Sequence, residues 1–306
     1  MINQEVKLIK VDEDYVGQRI DNFLIKKIKN VPKSHIYKII RSGEVRVNKK
    51  RVKAEYKLNF EDQVRVPPLK LNLNETKNTS KNLRIKNNIA YEDDWFLIIN
   101  KPEGIASHGG SGISMGLIES LRVERDDLRY LELVHRLDKN TSGLILVAKK
   151  RSALRSLQEL FRNKKIKKKY LTLVKGKWLK ARIKVEMNLK KITARDGQQI
   201  VKKSADGKTS QSIFSLVKHV SNLSLIDVEL LTGKTHQIRV QLSEMGYPIV
   251  GDDKYGDFSF NRDIGKRGLK RMFLHAYFIE FMHPFLNKKF IHEIDLPDSL
   301  KKILHE

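Results

Sequence analysis

The chain contains no cysteine. Disulfides, thiolate nucleophiles, zinc–thiolate sites and iron–sulfur clusters are therefore excluded, and a cytoplasmic setting is expected. No run of about 18 apolar residues occurs, so no membrane span is expected. The opening stretch "MINQEVKLIKVDEDY" has no apolar signal-peptide core. There is no G-x-S-x-G elbow for a serine hydrolase and no H-E-x-x-H pair for zinc. The 9 histidines are scattered; His135 and Asp138 could share a turn, but no third ligand is near in sequence, so no metal site is expected. No internal repeat is visible.

Acids are scarce relative to bases. Asp and Glu number 36 against 61 Lys and Arg, a formal charge of +25 over 306 residues. That length suits two domains, and 40% hydrophobic residues are enough to bury a sizeable core. A lysine bias across a whole genome would spread the excess evenly. Instead, residues 26–53 hold eleven Lys or Arg against Glu44 alone, and residues 149–170 hold ten against Glu159 alone. Two concentrated basic patches point to nucleic acid, with phosphate contacts supplying affinity rather than sequence choice.

Along the chain, "RIDNFLIKKI" puts Ile20, Phe23, Leu24 and Ile28 on one helical face. After Pro32, Ser34 can cap a second helix lined by Ile36, Ile39 and Ile40 and ended by Gly43. "EVRVN" and "DQVRV" read as strands and "NKKR" as a turn. Residues 71–84 read as a linker between a domain over 1–70 (core 18–66) and a second over 85–306. In the second, Trp95–Ile99, "GLILVA", "KKYLTLVKG", "LSLIDVELL" and "RMFLHAYFIEFMHP" read as strands. Ser152–Arg162 reads as a helix with Leu154, Leu157 and Phe161 on one side. Thr235–Met245 reads as another, with Ile238, Leu242 and Met245 inward. Strands and helices mix without regular alternation, which predicts an α+β sheet domain rather than a Rossmann fold.

"LLTGKTHQI" has the strand–loop–helix setting of a P-loop, but Val228 stands where its first glycine is required. "HGGSGISMG" fits neither phosphate-binding pattern and reads as a flexible loop over a cleft. In "HRLDKNTSGLILVAKK" one acid, Asp138, sits between Arg136 and Lys139 just before an apolar strand. It can cap its own turn, or serve as a reactive carboxylate kept charged by the neighbouring bases. If buried, it needs a partner. Arg239, in the first turn of a helix capped by Thr235, could supply a two-pronged clamp. Tyr170 is a packing residue at a strand's start or a platform for a base pulled from its helix.

"HRLDKNTSGLILVAK" resembles the signature of the RluA family of pseudouridine synthases, which act on ribosomal and transfer RNA bases. "NKPEGIASHGG" resembles the family's first motif; "LLTGKTHQIRVQL" followed by "GYPIVGDDKYG" resembles its third. The likeness runs in order from about Ile89 to Pro284, and residues 18–66 are similar to an S4 RNA-binding domain. The stretches "HGGSGISMGLIESLR" and "AKKRSALRSLQELFR" look most like members acting on the large ribosomal subunit. The resemblance implies a mixed, largely antiparallel sheet in the catalytic domain and isomerisation of uridines in large-subunit ribosomal RNA. It implies no metal, no nucleotide or other cofactor, and no membrane partner; a monomer is the default. By motif position Asp138 is the essential carboxylate, acting on the ribose as a nucleophile or as a base that permits elimination. Arg136 helps fill the space left by the flipped base, Tyr170 stacks on that base, Arg239 pairs with Asp138, and Ile238 packs near the base. His135 and Lys234 are further candidate RNA contacts, as are Lys38, Arg41, Lys49 and Arg51 in the S4-like part. Lys234, Gln241 and Asn140 depart from the Arg, His and Asp usual or frequent at those positions. Two other classes compete: an RNA-binding assembly factor with a silent catalytic domain, and a glycosidic-bond hydrolase. The hydrolase needs paired carboxylates, and none is evident around Asp138.

Overall fold

The computed structural model describes residues 6–28, 31, 33–68, 84–109, 115–193 and 199–304. The chain divides into two compact units, within 1–81 and within 82–306. The expected linker over 71–84 lies outside the described residues except for Arg84, as does most of the expected loop "HGGSGISMG".

The first unit contains β1 (Lys7–Lys10), α1 (Ile20–Lys27), α2 (Lys33–Arg41), β2 (Arg46–Val47), β3 (Lys50–Arg51) and β4 (Gln63–Val66). Its antiparallel sheet has the order β1-β4-β2-β3. Ile20, Phe23 and Leu24 of α1 and Ile36, Ile39 and Ile40 of α2 pack on Val45, Val47, Val64 and Val66, all buried. The helix begins at Lys33, so Ser34 sits inside its first turn and not at its cap. Asn48 and Lys49 both have positive φ (48° and 67°), as a two-residue hairpin turn of right-handed twist requires. Lys38, Arg41, Lys49 and Arg51 are all exposed.

The second unit contains β5 (Ile89–Glu92), β6 (Phe96–Lys101), α3 (Leu117–Glu124), β7 (Glu132–Leu133), β8 (Ser142–Ala148), α4 (Arg151–Arg162) and β9 (Lys167–Lys175). It continues through β10 (Arg182–Thr193), β11 (Gln199–Lys203), β12 (Lys208–Val220), β13 (Leu223–Leu230), α5 (Gln237–Glu244) and α6 (Phe258–Lys266). β14 (Leu274–Met282), β15 (Lys289–Glu293) and α7 (Asp298–Lys301) complete it. Eleven strands form one sheet of order β11-β10-β12-β13-β9-β14-β8-β6-β5, with β15 beside β14 and β7 beside β8. Among the described residues only β14 and β8 pair in parallel.

β6 and β8 carry unbroken apolar runs because both of their faces are covered. Leu97 and Ile99 of β6 and Ile145 and Val147 of β8 join the cluster that includes α3 and α5. Phe96, Ile98, Leu144, Leu146 and Ala148 join the opposite cluster with Ala153 and Leu157 of α4. Toward β10 the sheet bares one face: Val185, Met187 and Leu189 are buried while Arg182, Lys184 and Glu186 are exposed. Expected boundaries shift by a few residues: the strand expected from Trp95 starts at Phe96, and the helix expected from Thr235 starts at Gln237. β10, β11 and β12 have no counterpart in the sequence expectations.

Candidate active site

Asp138 lies in the turn between β7 and β8, where the Thr141 N–H donates to the Asp138 carbonyl at 3.1 Å. The "NKPEGIAS" segment braces this turn from below. Buried Lys101 donates to the carbonyls of Pro102 (2.8 Å), Ile105 (2.9 Å) and Lys139 (3.1 Å), which accounts for all three protons of an ammonium. Burial, aided by Arg271, pulls its pKa down to about 7, while the three acceptors suit the charged form. Ser107 closes the brace: its Oγ donates to the Leu137 carbonyl (2.7 Å) and accepts the Leu137 N–H (3.0 Å). Gly143, with φ +109°, lets β8 pass against β14; a Cβ there would meet the Ala276 carbonyl oxygen at 2.1 Å.

The Asp138 side chain does not cap its turn. Among the described residues the basic groups that face it are Arg239 Nη1 at 3.7 Å and His236 Nε2 at 3.8 Å, both toward Oδ2. Arg136 and Lys139, the flanking bases, are exposed. The cation beside Asp138 therefore comes from α5, 101 positions further along the chain.

The expected two-pronged clamp is present on a different carboxylate. Arg239 Nε and Nη2 donate to Asp252 Oδ2 (2.8 Å) and Oδ1 (2.7 Å), and Nη2 also reaches Asp253 Oδ1 at 3.2 Å. Only Nη1 remains for Asp138. Asp252 is fully buried and takes the backbone N–H of Lys254 (2.8 Å) and Tyr255 (3.0 Å) as well. Burial opposes its ionisation, but Arg239 and the two amides hold its pKa below the usual carboxylate value. Gly251 (φ +78°) permits this turn, since a Cβ would strike the Arg271 carbonyl oxygen at 2.1 Å. Asp138 is thus not a lone acid: three carboxylates share Arg239.

The arginine is delivered by a helix buried on nearly every side. Gln237, Ile238, Arg239, Val240, Gln241 and Leu242 are all buried. Its N-cap is His236, at φ +53°, and not Thr235, which is exposed. No side chain caps the helix; Gln237 Oε1 instead holds the loop before it, accepting the Lys234 N–H (3.0 Å) and the Thr232 hydroxyl (2.8 Å). Gln237 Nε2 then donates to the Gln211 carbonyl and to Ser212 Oγ, both at 2.9 Å. Ser212 Oγ donates to Gln241 Oε1 at 2.7 Å. Gln241 is therefore part of the α5–β12 scaffold, not of an RNA-facing surface. Asn140, by contrast, donates to Asp253 at 3.1 Å beside the site.

These residues surround a cleft of about 240 Å³. Asp138, Tyr170, Arg239, Arg136, Ile238 and Lys234 all line it. Tyr170 is 7% exposed, and burial with Asp138 nearby drives its phenol pKa upward, so it stays neutral. Ile238 supplies an apolar wall; Arg136 and Lys234 are exposed at the rim. Lys168, two residues before Tyr170, also lines the cleft, with its Nζ 5.0 Å from the centre of the Phe161 ring. Burial lowers its pKa to about 8. His135 lines the wall, but its Nε2 accepts the Leu146 N–H at 3.1 Å and its ring packs on Phe161. The candidate contacts Lys38, Arg41, Lys49 and Arg51 belong to the first unit.

Two histidines give the second unit an acid sensitivity. Burial lowers the pKa of His135 to about 3 and of His275 to about 4, in each case below the unfolded value near 6.5. As pH falls through 6.5 the unfolded chain takes up protons that the folded state refuses, so stability is lost on the acid side. Between pH 6.5 and 5 the loss is expected to be on the order of 1–2 kcal/mol per histidine. Urea unfolding across that range checks this, with His275→Gln expected to give the shallower slope.

Asp252, His236 and Tyr255 are the site residues that the sequence reading passes over. The adjacent acids in "GDDKYG" were the available signal for Asp252. Only the fold brings this segment to Arg239.

Comparison with known proteins finds one matching family within each unit. The profile of the family described as RNA pseudouridylate synthase matches residues 95–244, and that of the S4 domain matches 18–64. The chain is 48% identical over 311 residues to ribosomal large subunit pseudouridine synthase C of Haemophilus influenzae, covering 100% of this chain and 96% of the relative. It is 47% identical over 307 residues to the protein of the same name in Escherichia coli strain K12, covering 98% and 96%. The solved structure of human RNA pseudouridylate synthase domain containing 1 superposes with a TM-score of 0.57 at 26% identity, covering 70% of this chain and 86% of that one.

Proposed function

The chain belongs to the RNA pseudouridylate synthase family and is an RNA pseudouridine synthase, and from that premise we propose that it converts specific uridines of large-subunit ribosomal RNA to pseudouridine at the Asp138 cleft. The observation that carries the proposal is the meeting, in one cleft, of an accessible carboxylate, a neutral buried phenol and a guanidinium anchored from behind.

A uridine inside an RNA helix must leave its stack before Asp138 can reach its sugar. Tyr170 and Ile238 offer the flat and apolar surfaces on which the flipped base rests, and Arg136 at the rim occupies the vacated space. Asp138 then acts at the ribose, as nucleophile at C1′ or as a base that permits elimination. The N1–C1′ bond breaks and the uracil turns within the cleft. A C5–C1′ bond forms, the Asp138–C1′ bond breaking with it on the nucleophilic route, the C5 proton is lost, and N1 carries a proton in the product. The product is an isomer of the substrate, so no oxidant, reductant or water is consumed overall. Arg239 holds charge beside the carboxylate without consuming it, because its fork is committed to Asp252.

A hydrolase would need a second carboxyl able to give a proton. Asp252 cannot serve: its oxygens hold Arg239 and two backbone amides. The test is incubation of the purified protein with large-subunit ribosomal RNA and nucleoside analysis of the product. Pseudouridine at defined positions is expected; free uracil with abasic sugar would instead establish hydrolysis.

The S4-like unit supplies affinity in this reading. Deleting residues 1–81 is expected to weaken RNA binding and to flatten its dependence on salt, by about 0.7–0.9 in the log–log slope for each phosphate that the shortened protein leaves unneutralised. A slope unchanged by the deletion would place the RNA-binding cations elsewhere.

A further inference from the structure

The cleft holds one more titratable side chain, His236, whose surroundings fix its chemistry. It stands at φ +53°, a left-handed conformation that an L residue keeps only when its surroundings hold it. What holds it is Tyr255. His236 Nδ1 lies 2.7 Å from Tyr255 Oη, with the two rings edge to face at 5.4 Å. Tyr255 Oη already accepts the Val201 N–H at 2.9 Å. A phenol has one proton to give, and here its open partner is His236 Nδ1. The imidazole is then neutral, with its own proton on Nε2, the atom 3.8 Å from Asp138 Oδ2. Arg239 Nη1 approaches the same oxygen at 3.7 Å, and its guanidinium lies 5.1 Å over the Tyr255 ring. Two donors converge on Oδ2, which leaves Oδ1 for the sugar.

We propose that His236 is a positioning residue for Asp138: a neutral imidazole, locked in one tautomer by Tyr255, whose Nε2–H closes on Oδ2 when RNA fills the cleft and so presents Oδ1 to the ribose. This rests on the reading of Asp138 as the reactive carboxylate. A neutral donor suits the task because it orients the carboxylate without adding a second full charge that would blunt it. The groups facing His236 are Asp138, Arg239 on α5, and Asp252, Lys254 and Tyr255 on the following turn. Burial first, then Arg239 and Lys254, favour the neutral ring; Asp138 and Asp252 oppose them without prevailing. Protonated His236 would pair with Asp138, so the single-turnover rate should decline on the acid side as this ring titrates. The gap of 3.8 Å is longer than a hydrogen bond, as in many catalytic sites before substrate tightens them.

The test measures single-turnover rates and RNA Kd across pH for the full-length parent, His236→Ala, His236→Gln and Tyr255→Phe, with Asp138→Asn as control. His236→Ala is expected to lower the rate about 10- to 100-fold, the cost known for losing a partner that orients a metal ligand and taken over to a carboxylate, with RNA Kd within about twofold. His236→Gln presents an N–H at a similar reach and does not titrate. It should recover most of the rate and lose the acid limb. Tyr255→Phe removes the donor to Nδ1, so His236 protonates more readily and the acid limb moves to higher pH. A parental rate in His236→Ala overturns the proposal, as does an acid limb that stays put in Tyr255→Phe and persists in His236→Gln. If the parent makes no pseudouridine, or Asp138→Asn makes as much as the parent, the reading of Asp138 fails instead.

Discussion

Asp138→Asn is expected to bring pseudouridine formation below about 10⁻⁴ of the parental rate, as removal of a nucleophile does elsewhere, while RNA affinity stays within about twofold. The substitution keeps the shape of the side chain but removes its charge and turns one acceptor oxygen into an amide donor. Among the described residues no hydrogen bond ends on the Asp138 carboxylate, so none is broken by the change. The Lys101 and Ser107 brace acts on backbone atoms, and Arg239 keeps its fork on Asp252. The fold should therefore be untouched. Binding rests on cations meeting phosphates, and deleting one acid from a basic cleft cannot weaken that attraction. The decisive form of the experiment maps pseudouridines in large-subunit ribosomal RNA from cells lacking the gene, complemented by the parent or by Asp138→Asn. Positions lost in the deletion should return with the parent and stay absent with the variant. Pseudouridines that persist in the deletion would move the substrate to another RNA. Restoration by Asp138→Asn would remove the carboxylate from its role.

The same cleft shows which parts of a site a linear reading reaches. Asp138, Tyr170, Ile238 and Arg239 are scattered over about a hundred positions, yet each ends on a segment aimed into one cleft. β9 lies between β13 and β14, and β8 meets β14 on its other side, so the ends of these strands become neighbours. The apolar runs of β6 and β8 were legible because strands buried on both faces leave no polar interruption. β10 is different: Ile183, Val185, Met187 and Leu189 alternate with charged or polar residues, a pattern easily taken for solvated coil in so basic a chain. Arg239 as a fork was legible, but which acid fills the fork was not. Asp138, Asp252 and Asp253 all satisfy the chemistry, and only the turn allowed by Gly251 brings Asp252 square to the guanidinium. Thr235 looked like a cap by residue type. The helix starts instead at the left-handed His236 with no side-chain cap, and Gln237 ties its start to the preceding loop and to β12.

The anchoring of Arg239 yields the largest expected effect on stability. Arg239 is 5% exposed and Asp252 is wholly buried, so removing Arg239 strands the Asp252 charge in the interior, while removing Asp252 takes the fork from Arg239 and leaves it Asp253 and Asp138 alone. Asp252→Asn isolates the charge, because its remaining oxygen can still accept the Lys254 and Tyr255 amides that Oδ1 accepts now. Arg239→Met is expected to cost about 3–5 kcal/mol, the range for leaving a buried charge uncompensated, and Asp252→Asn less, because Asp253 and Asp138 still face the guanidinium. The double variant has no stranded charge and should lie well above the sum of the two losses, by a coupling of at least about 1 kcal/mol. Activity should follow a different rule. All three variants lose the guanidinium or its aim at Asp138, so the double variant regains stability without regaining turnover. The sign of the pH effect is set by the same pair. The Asp252 carboxyl has a folded pKa below its unfolded value, so its stabilisation is present above about pH 4 and is lost as pH falls through the lower folded value. Denaturant unfolding of the four proteins, paired with single-turnover rates, separates the two rules. Additive losses in stability would mean that Arg239 and Asp252 are not energetically coupled, and the account of Asp252 as the anchor of the catalytic arginine would fall.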